Sequence, residues 1–100
     1  MESFKGPAAK GFDWEHIMDR HAPWGKTARQ SGKKNIFENM TENEIKRAVR
    51  NAWKNREKIL TQKEENRIKY RGYDAKTRYL IEIWQDKETG EIKSAYPINN

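Results

Sequence analysis

Between Asp13 and His21 the apolar positions recur with helical spacing. Trp14, Ile17, Met18 and His21 stand at i, i+3, i+4 and i+7. Asp13 is placed to cap this helix. Pro23 disfavours helical backbone at Ala22, so the helix is expected to stop at Arg20 or His21. A second helix is marked more clearly. Thr41 and Glu44 form a capping box, Met40 and Ile45 take the positions of a hydrophobic staple, and Ile45, Ala48, Val49, Ala52 and Trp53 make one apolar stripe. Its opposite face carries Lys46, Arg47, Arg50, Asn51 and Lys54 and reads first as a solvated face, second as an RNA contact.

After Glu57 the period changes to two. Lys58–Gln62 is a short candidate edge strand, and Arg67–Gly72 alternates charge with Ile68 and Tyr70. Thr77–Gln85 holds Tyr79, Leu80, Ile81, Ile83 and Trp84 and reads as a central strand covered on both faces. Asp86–Gly90 is a turn, with Gly90 suited to a positive φ, and Glu91–Pro97 returns. If the turn is a three-residue loop, Glu82 and Trp84 share a face with Ser94 and Tyr96. Tyr79, Ile81, Ile83 and Ala95 then face the helices. A one-residue change in the turn would reverse those relationships on one strand. The expected fold is α+β, with N-terminal helices packed on one face of a three- to four-stranded antiparallel meander. The other face is left to carry a site.

Composition sharpens this picture. The 100 residues suit one domain, expected over 12–100. Met1–Gly11, with two Gly, one Pro and two Lys, reads as a flexible leader or linker remnant. At 34% apolar and 36% charged the chain resembles a disordered one, but four Trp, four Tyr and three Phe argue for a thin, aromatic-rich core. A formal net charge of +6 favours polyanions: nucleic acid first, then an acidic protein or an anionic membrane. With no Cys, disulfides, thiolate zinc sites and cysteine nucleophiles are excluded. No apolar run approaches the roughly 20 residues that span a bilayer, and Met1–Lys10 lacks the apolar segment of a signal peptide.

The candidate chemistry centres on His16 and His21, the chain's two histidines, with Arg20 between them. RNA is cut without metal when a base takes the 2′-hydroxyl proton, an acid protonates the leaving 5′-oxygen, and cations stabilise the phosphorane. The histidines suit base and acid. Arg20, Lys26, Lys33 or Lys34 suit charge stabilisation. Two histidines without a clear carboxylate partner make a poor metal site, so no metal or other cofactor is expected. A regular helix turns about 140° over five residues, which puts His21 within the apolar stripe and His16 on the polar face. His21 then reads either as a core histidine or, if the helix ends before it, as a partner that converges on His16. A helix C-terminus would favour its protonated form, as an acid needs. Ser94 and Tyr96 are candidate donors to phosphate, and Tyr96 or Trp84 can stack on a base. Arg67, Lys69 and Arg71 project together and can track a phosphate backbone. Lys26, Arg29, Lys33 and Lys34 make the Trp24–Lys34 loop a further basic surface.

On these residues the chain resembles the C-terminal nuclease domains of bacterial polymorphic and contact-dependent inhibition toxins. The likeness is to the group sharing the fold of barnase, EndoU, colicin D and RelE. It rests on His16-Ile17-Met18-Asp19-Arg20-His21, the capped helix from Thr41, and the ending Thr89-Gly90-Glu91-Ile92-Lys93-Ser94-Ala95-Tyr96-Pro97. EndoU-like members carry a Ser or Thr two residues before a site Tyr, which corresponds to Ser94 and Tyr96. The histidines stand closer together here than in EndoU enzymes. The family's catalytic lysine falls on Lys26, Lys33 or Lys34 without distinction. The resemblance implies a monomeric ribonuclease, acting on tRNA or another RNA, carried at the end of a larger secreted effector. It would act in the target-cell cytoplasm and be neutralised by an acidic immunity protein. The competing expectations are a non-catalytic nucleic-acid-binding module with structural histidines, and a basic protein-interaction domain.

Overall fold

Asp13 caps the first helix, α1 (Trp14–His21), its carboxylate accepting from the His16 amide at 3.1 Å. The helix ends at His21, and Ala22 turns extended at φ −84°, ψ 151°, as the following proline requires. Helix α2 (Glu42–Lys54) starts from the complete capping box: Thr41 Oγ1 accepts from the Glu44 amide, and the Glu44 carboxylate from the Thr41 amide. Met40 packs against the core that contains Ile45. The computed structural model describes residues 9–30, 35–59 and 66–99. Lys33, Lys34, the strand's expected continuation to Gln62 and residues 1–8 of the expected leader lie outside them.

Four strands follow the helices: β1 (Glu57–Ile59), β2 (Arg67–Asp74), β3 (Tyr79–Asp86) and β4 (Ile92–Pro97). They pair antiparallel in the order β1-β2-β3-β4, so the protein is α+β with its helices before a four-stranded meander. Ile17, Phe37, Ile45, Val49, Tyr70, Ile81, Ile83, Ile92 and Ala95 are fully buried in one cluster between helices and sheet. Tyr70 and Gln85 bring polar atoms into that core and satisfy them. The Tyr70 hydroxyl donates to Gln85 Oε1 at 2.8 Å, and Gln85 Nε2 donates to the Gly90 carbonyl at 3.0 Å.

Several boundaries differ from the sequence expectation, each for a local reason. Strand β2 runs two residues beyond Gly72. A Cβ there would meet the Ala52 carbonyl oxygen at 1.9 Å, so the glycine admits the end of α2 against the strand and does not end it. Strand β3 begins at Tyr79 because Thr77 and Arg78 form a turn closed on Asp74: Thr77 Oγ1 donates to its carboxylate at 2.6 Å and Arg78 adopts φ 66°. Its outer face is only half covered at Leu80 and Trp84, with Glu82 buried between them, whereas Ile81, Ile83 and Gln85 on the inner face are all buried. Lys10 and Gly11, read as the end of a flexible leader, pair with the sheet edge. The Lys10 amide donates to the Gly90 carbonyl, and the Ile92 amide to the Gly11 carbonyl, both at 2.9 Å. The folded body therefore starts before Phe12.

The basic face of α2 is also partly committed to the fold. Arg47 reaches Asp74 with both guanidinium nitrogens, at 3.3 and 3.0 Å, and Asn51 donates to the same carboxylate at 2.8 Å. Asp74 is fully buried. Burial alone would raise its pKa, but the hydrogen bonds from Arg47, Thr77 and Asn51 outweigh it and hold the carboxyl at about 2. Lys46 and Arg50 lie over the Trp14 ring, at 5.7 and 5.3 Å from its centroid.

Candidate functional site

Register decides what faces outward. Glu82 pairs with Tyr96 and Trp84 with Ser94, so these four side chains share the sheet face away from the helices. Arg71 and Lys69 continue the same rows on β2, opposite Glu82 and Trp84. Between Trp84 and Gln85 the pairing slips: Trp84 faces Ser94, and Gln85 faces Ile92. Lys93 is the extra residue of this bulge. Without it Lys93 would point at the helices; with it Ile92 stays buried while Lys93 and Ser94 both reach the outer side.

There, β4 and α1 enclose an open cleft of about 460 Å³. Its walls are His16, Arg20, His21, Arg67, Trp84, Lys93, Ser94 and Tyr96. Of the residues singled out for chemistry in the sequence, His16, Arg20, His21, Ser94 and Tyr96 line it, together with Arg67 of the proposed phosphate track, whereas Lys26 does not. Helix α1 is regular through His21, so the two histidines reach one cleft without the unwinding that the sequence argument required.

His21 is both things the sequence left open. It is buried, 8% exposed, yet it forms part of the cleft wall. Its Nδ1 lies 3.0 Å from the Asn35 carbonyl oxygen. A carbonyl only accepts, so Nδ1 carries a proton in either protonation state of the ring, and Nε2 is the nitrogen at which the ring would gain or give up its second proton. The Tyr96 ring packs against the imidazole at 4.9 Å between centroids. Asn35 is a positioning residue that sequence reasoning missed. In the left-handed conformation, φ 63°, it turns its carbonyl to His21 while its side-chain amide donates to the Pro97 carbonyl at 2.9 Å. A 62-residue separation leaves no local signal for such a link.

His16 is half-buried. Burial lowers its pKa below the ordinary value, and the charges of Arg20 and Lys93 lower it further against the opposing pull of Asp13. Its imidazole is therefore neutral at pH 7 and able to accept a proton. Lys93, which the sequence did not single out, contacts Glu91 at 3.1 Å and Asp13 at 3.7 Å, and hydrogen bonding to Glu91 raises its pKa.

The hydroxyl of Tyr96 has other duties than phosphate binding. It donates to Glu82 Oε2 at 2.5 Å and accepts from Trp84 Nε1 at 2.8 Å. Burial and the bond to Glu82 push its pKa up to about 12. Its expected role as a donor to phosphate is thus replaced by that of a fixed wall beside His21. Glu82, 7% exposed, also accepts from Arg71 Nε at 3.2 Å. Arg71 is thereby drawn out of the proposed phosphate track. Lys69 sits over the Trp84 ring at 5.0 Å from its centroid and covers that face of the indole.

Lys26 and Arg29 are exposed and do not line the cleft. They sit on a loop held against α1: Thr27 Oγ1 donates to Asp19 at 2.6 Å, and the Ala28 amide to the Asp19 carbonyl at 3.0 Å. Gly25 lies so close to that helix end that a Cβ would meet the Met18 carbonyl oxygen at 2.2 Å. Among the described residues no group of three or more His, Asp and Glu side chains is placed to hold a metal ion. No helix among them is long and apolar enough to cross a membrane. Comparison of the chain with protein-family models, curated proteins and solved structures gave no match.

Proposed function

We propose that the protein is a metal-independent endoribonuclease that cleaves RNA, tRNA in the first instance, by attack of the 2′-hydroxyl on the adjacent phosphate. The observation that carries this reading is one cleft lined by both histidines, three cationic side chains (Arg20, Arg67 and Lys93) and the Ser94 hydroxyl. That set matches what the reaction needs: two imidazoles able to exchange protons and positive charge around a phosphate. His16, neutral at pH 7, takes the proton of the 2′-hydroxyl as the 2′-oxygen bonds to phosphorus. The bond to the 5′-oxygen breaks, and protonated His21 supplies the proton that this oxygen takes up. Arg20, Arg67 and Lys93 stabilise the charge on the phosphorane, and Ser94 donates to a non-bridging oxygen. The products are a 2′,3′-cyclic phosphate and a 5′-hydroxyl.

Taken with the resemblance to toxin nucleases, the chemistry extends to a biological reading. The domain is the cargo end of a larger secreted bacterial effector, acts in the cytoplasm of the target cell as a monomer, and is silenced by an acidic immunity protein. The net charge of +6 supports both an RNA substrate and an acidic partner.

Incubation of the purified protein with total tRNA in EDTA tests the reaction. Fragments ending in 2′,3′-cyclic phosphate are expected, and His16→Gln should remove them without changing the melting temperature. Intact tRNA, at protein concentrations that bind it, would overturn the enzymatic reading and favour a non-catalytic nucleic-acid-binding module.

A further inference from the structure

The outer sheet face carries a second cleft, of about 370 Å³, lined by Asn55, Glu57, Ile59, Arg71, Tyr73 and Leu80. It lies diagonally across the face from the first, beyond the row Arg71–Glu82–Tyr96 that separates them. Tyr73 is 48% exposed, one of two large hydrophobic side chains that stand open to solvent among the described residues. It pairs with Leu80 on the neighbouring strand, and Ile59 completes an apolar floor. The Asn55 side-chain amide donates to the Tyr73 carbonyl at 3.4 Å, tying the strand end to the close of α2. An aromatic ring left half open on a sheet face, above an apolar floor and beside an arginine, has no part in the core.

We infer that this second cleft binds a nucleobase of the same RNA strand whose phosphate occupies the first, with the base stacked on Tyr73. This rests on the reading of the first cleft as an RNA site. Three features point to a base there rather than a phosphate. The ring and the aliphatic floor offer a stacking platform. Glu57 repels a phosphate but accepts hydrogen bonds from an exocyclic amino group. Lys69 lies on the row between the two clefts, where the connecting backbone would run, while Arg71, paired with Glu82, stands in the wall of the second cleft with its charge already engaged. The distance also fits. From Ser94 to Tyr73 is two strand spacings across and four residues along, roughly 16 Å by standard sheet dimensions. A short run of extended RNA spans that gap, whereas a dinucleotide in the first cleft does not.

The test separates binding from cleavage. In a His16→Gln background, which keeps the cleft but not its base, the affinity for a single-stranded octanucleotide is measured for Tyr73, Tyr73→Phe and Tyr73→Ala. Tyr73→Ala should weaken binding about tenfold or more and Tyr73→Phe should restore it, as loss and return of one stacked base predict. Affinity for a dinucleotide should be the same in all three. In the active protein, Tyr73→Ala should raise KM for the octanucleotide with kcat unchanged. An octanucleotide affinity unaffected by Tyr73→Ala overturns the inference, even if RNA is cleaved. Weakened binding without any cleavage by the unmutated protein leaves the inference standing and removes the ribonuclease reading instead.

Discussion

Two buried carboxylates, Asp74 and Glu82, have similar companions and opposite consequences. Asp74 gathers Arg47, Asn51 and Thr77 between α2 and the β2–β3 turn, where every donor ends on the carboxylate and the cluster leads nowhere. Glu82 gathers Arg71 and the Tyr96 hydroxyl, but through Tyr96 it reaches Trp84 and the His21 ring, both in the wall of the cleft. A closed polar network fastens the fold. An open-ended one fixes the orientation of groups that meet a ligand. Substitutions at the first should therefore cost stability and spare chemistry; those at the second should do the reverse.

The comparison breaks most sharply if the cleft is disarmed. His16→Ala should lower kcat/KM for RNA by on the order of 10²–10⁴ with an unchanged melting temperature, since it removes one half of the proposed acid–base pair from a half-exposed position. Next in size is Asp74→Ala. Breaking a buried ion pair costs 3–5 kcal/mol, and Arg47, which still reaches water, sets the loss at about 3 kcal/mol. Thermal unfolding should record a fall on the order of 10–20 °C, while the folded fraction keeps its activity per molecule.

Acid offers a gentler version of the same experiment. The Asp74 carboxyl is held at about 2 in the fold against 3.8 ordinarily. Its contribution, roughly 2 kcal/mol, is complete above about pH 5 and is lost as pH falls from there through 2. Denaturant unfolding across that window should show the loss in the parent protein and its absence in Asp74→Ala. Smallest is Tyr96→Phe, which removes the hydroxyl between Glu82 and Trp84. Cleavage should fall about tenfold, with a stability change near 1 kcal/mol, the scale of one hydrogen bond. The acid limb of the kcat/KM profile should lie below 6.5, where burial and two cations place His16.

Much of this molecule is legible in its sequence. The capping box at Thr41 and the cap and stop of α1 follow from local rules, whereas the outward pairing of Glu82 with Tyr96 and Trp84 with Ser94 is conditional, in the sequence, on a three-residue turn. The turn is one residue longer, and the bulge at Trp84/Gln85 restores that pairing. Local rules place His16, Arg20 and His21 together on α1; Ser94 and Tyr96 meet them because of the bulge. What stays hidden depends on non-local register. Lys93 alternates to the wrong face until the bulge at Trp84/Gln85 turns it outward. Asn35 orients His21 through a backbone carbonyl, an atom that every residue carries and no composition reveals. Tyr96 looks like a free hydroxyl until Glu82 is seen to claim its proton. The charge of Arg71 looked available for phosphate for the same reason.

The central claim is that His16 and His21 act on a single phosphate. Histidine ring resonances followed during titration with a 3′-nucleoside monophosphate address it directly. Both rings should shift with the same dissociation constant, and both pKa values should rise as the bound phosphate favours the imidazolium forms. Movement of one ring alone, or of neither at concentrations that perturb Lys93 and Ser94, would contradict the account.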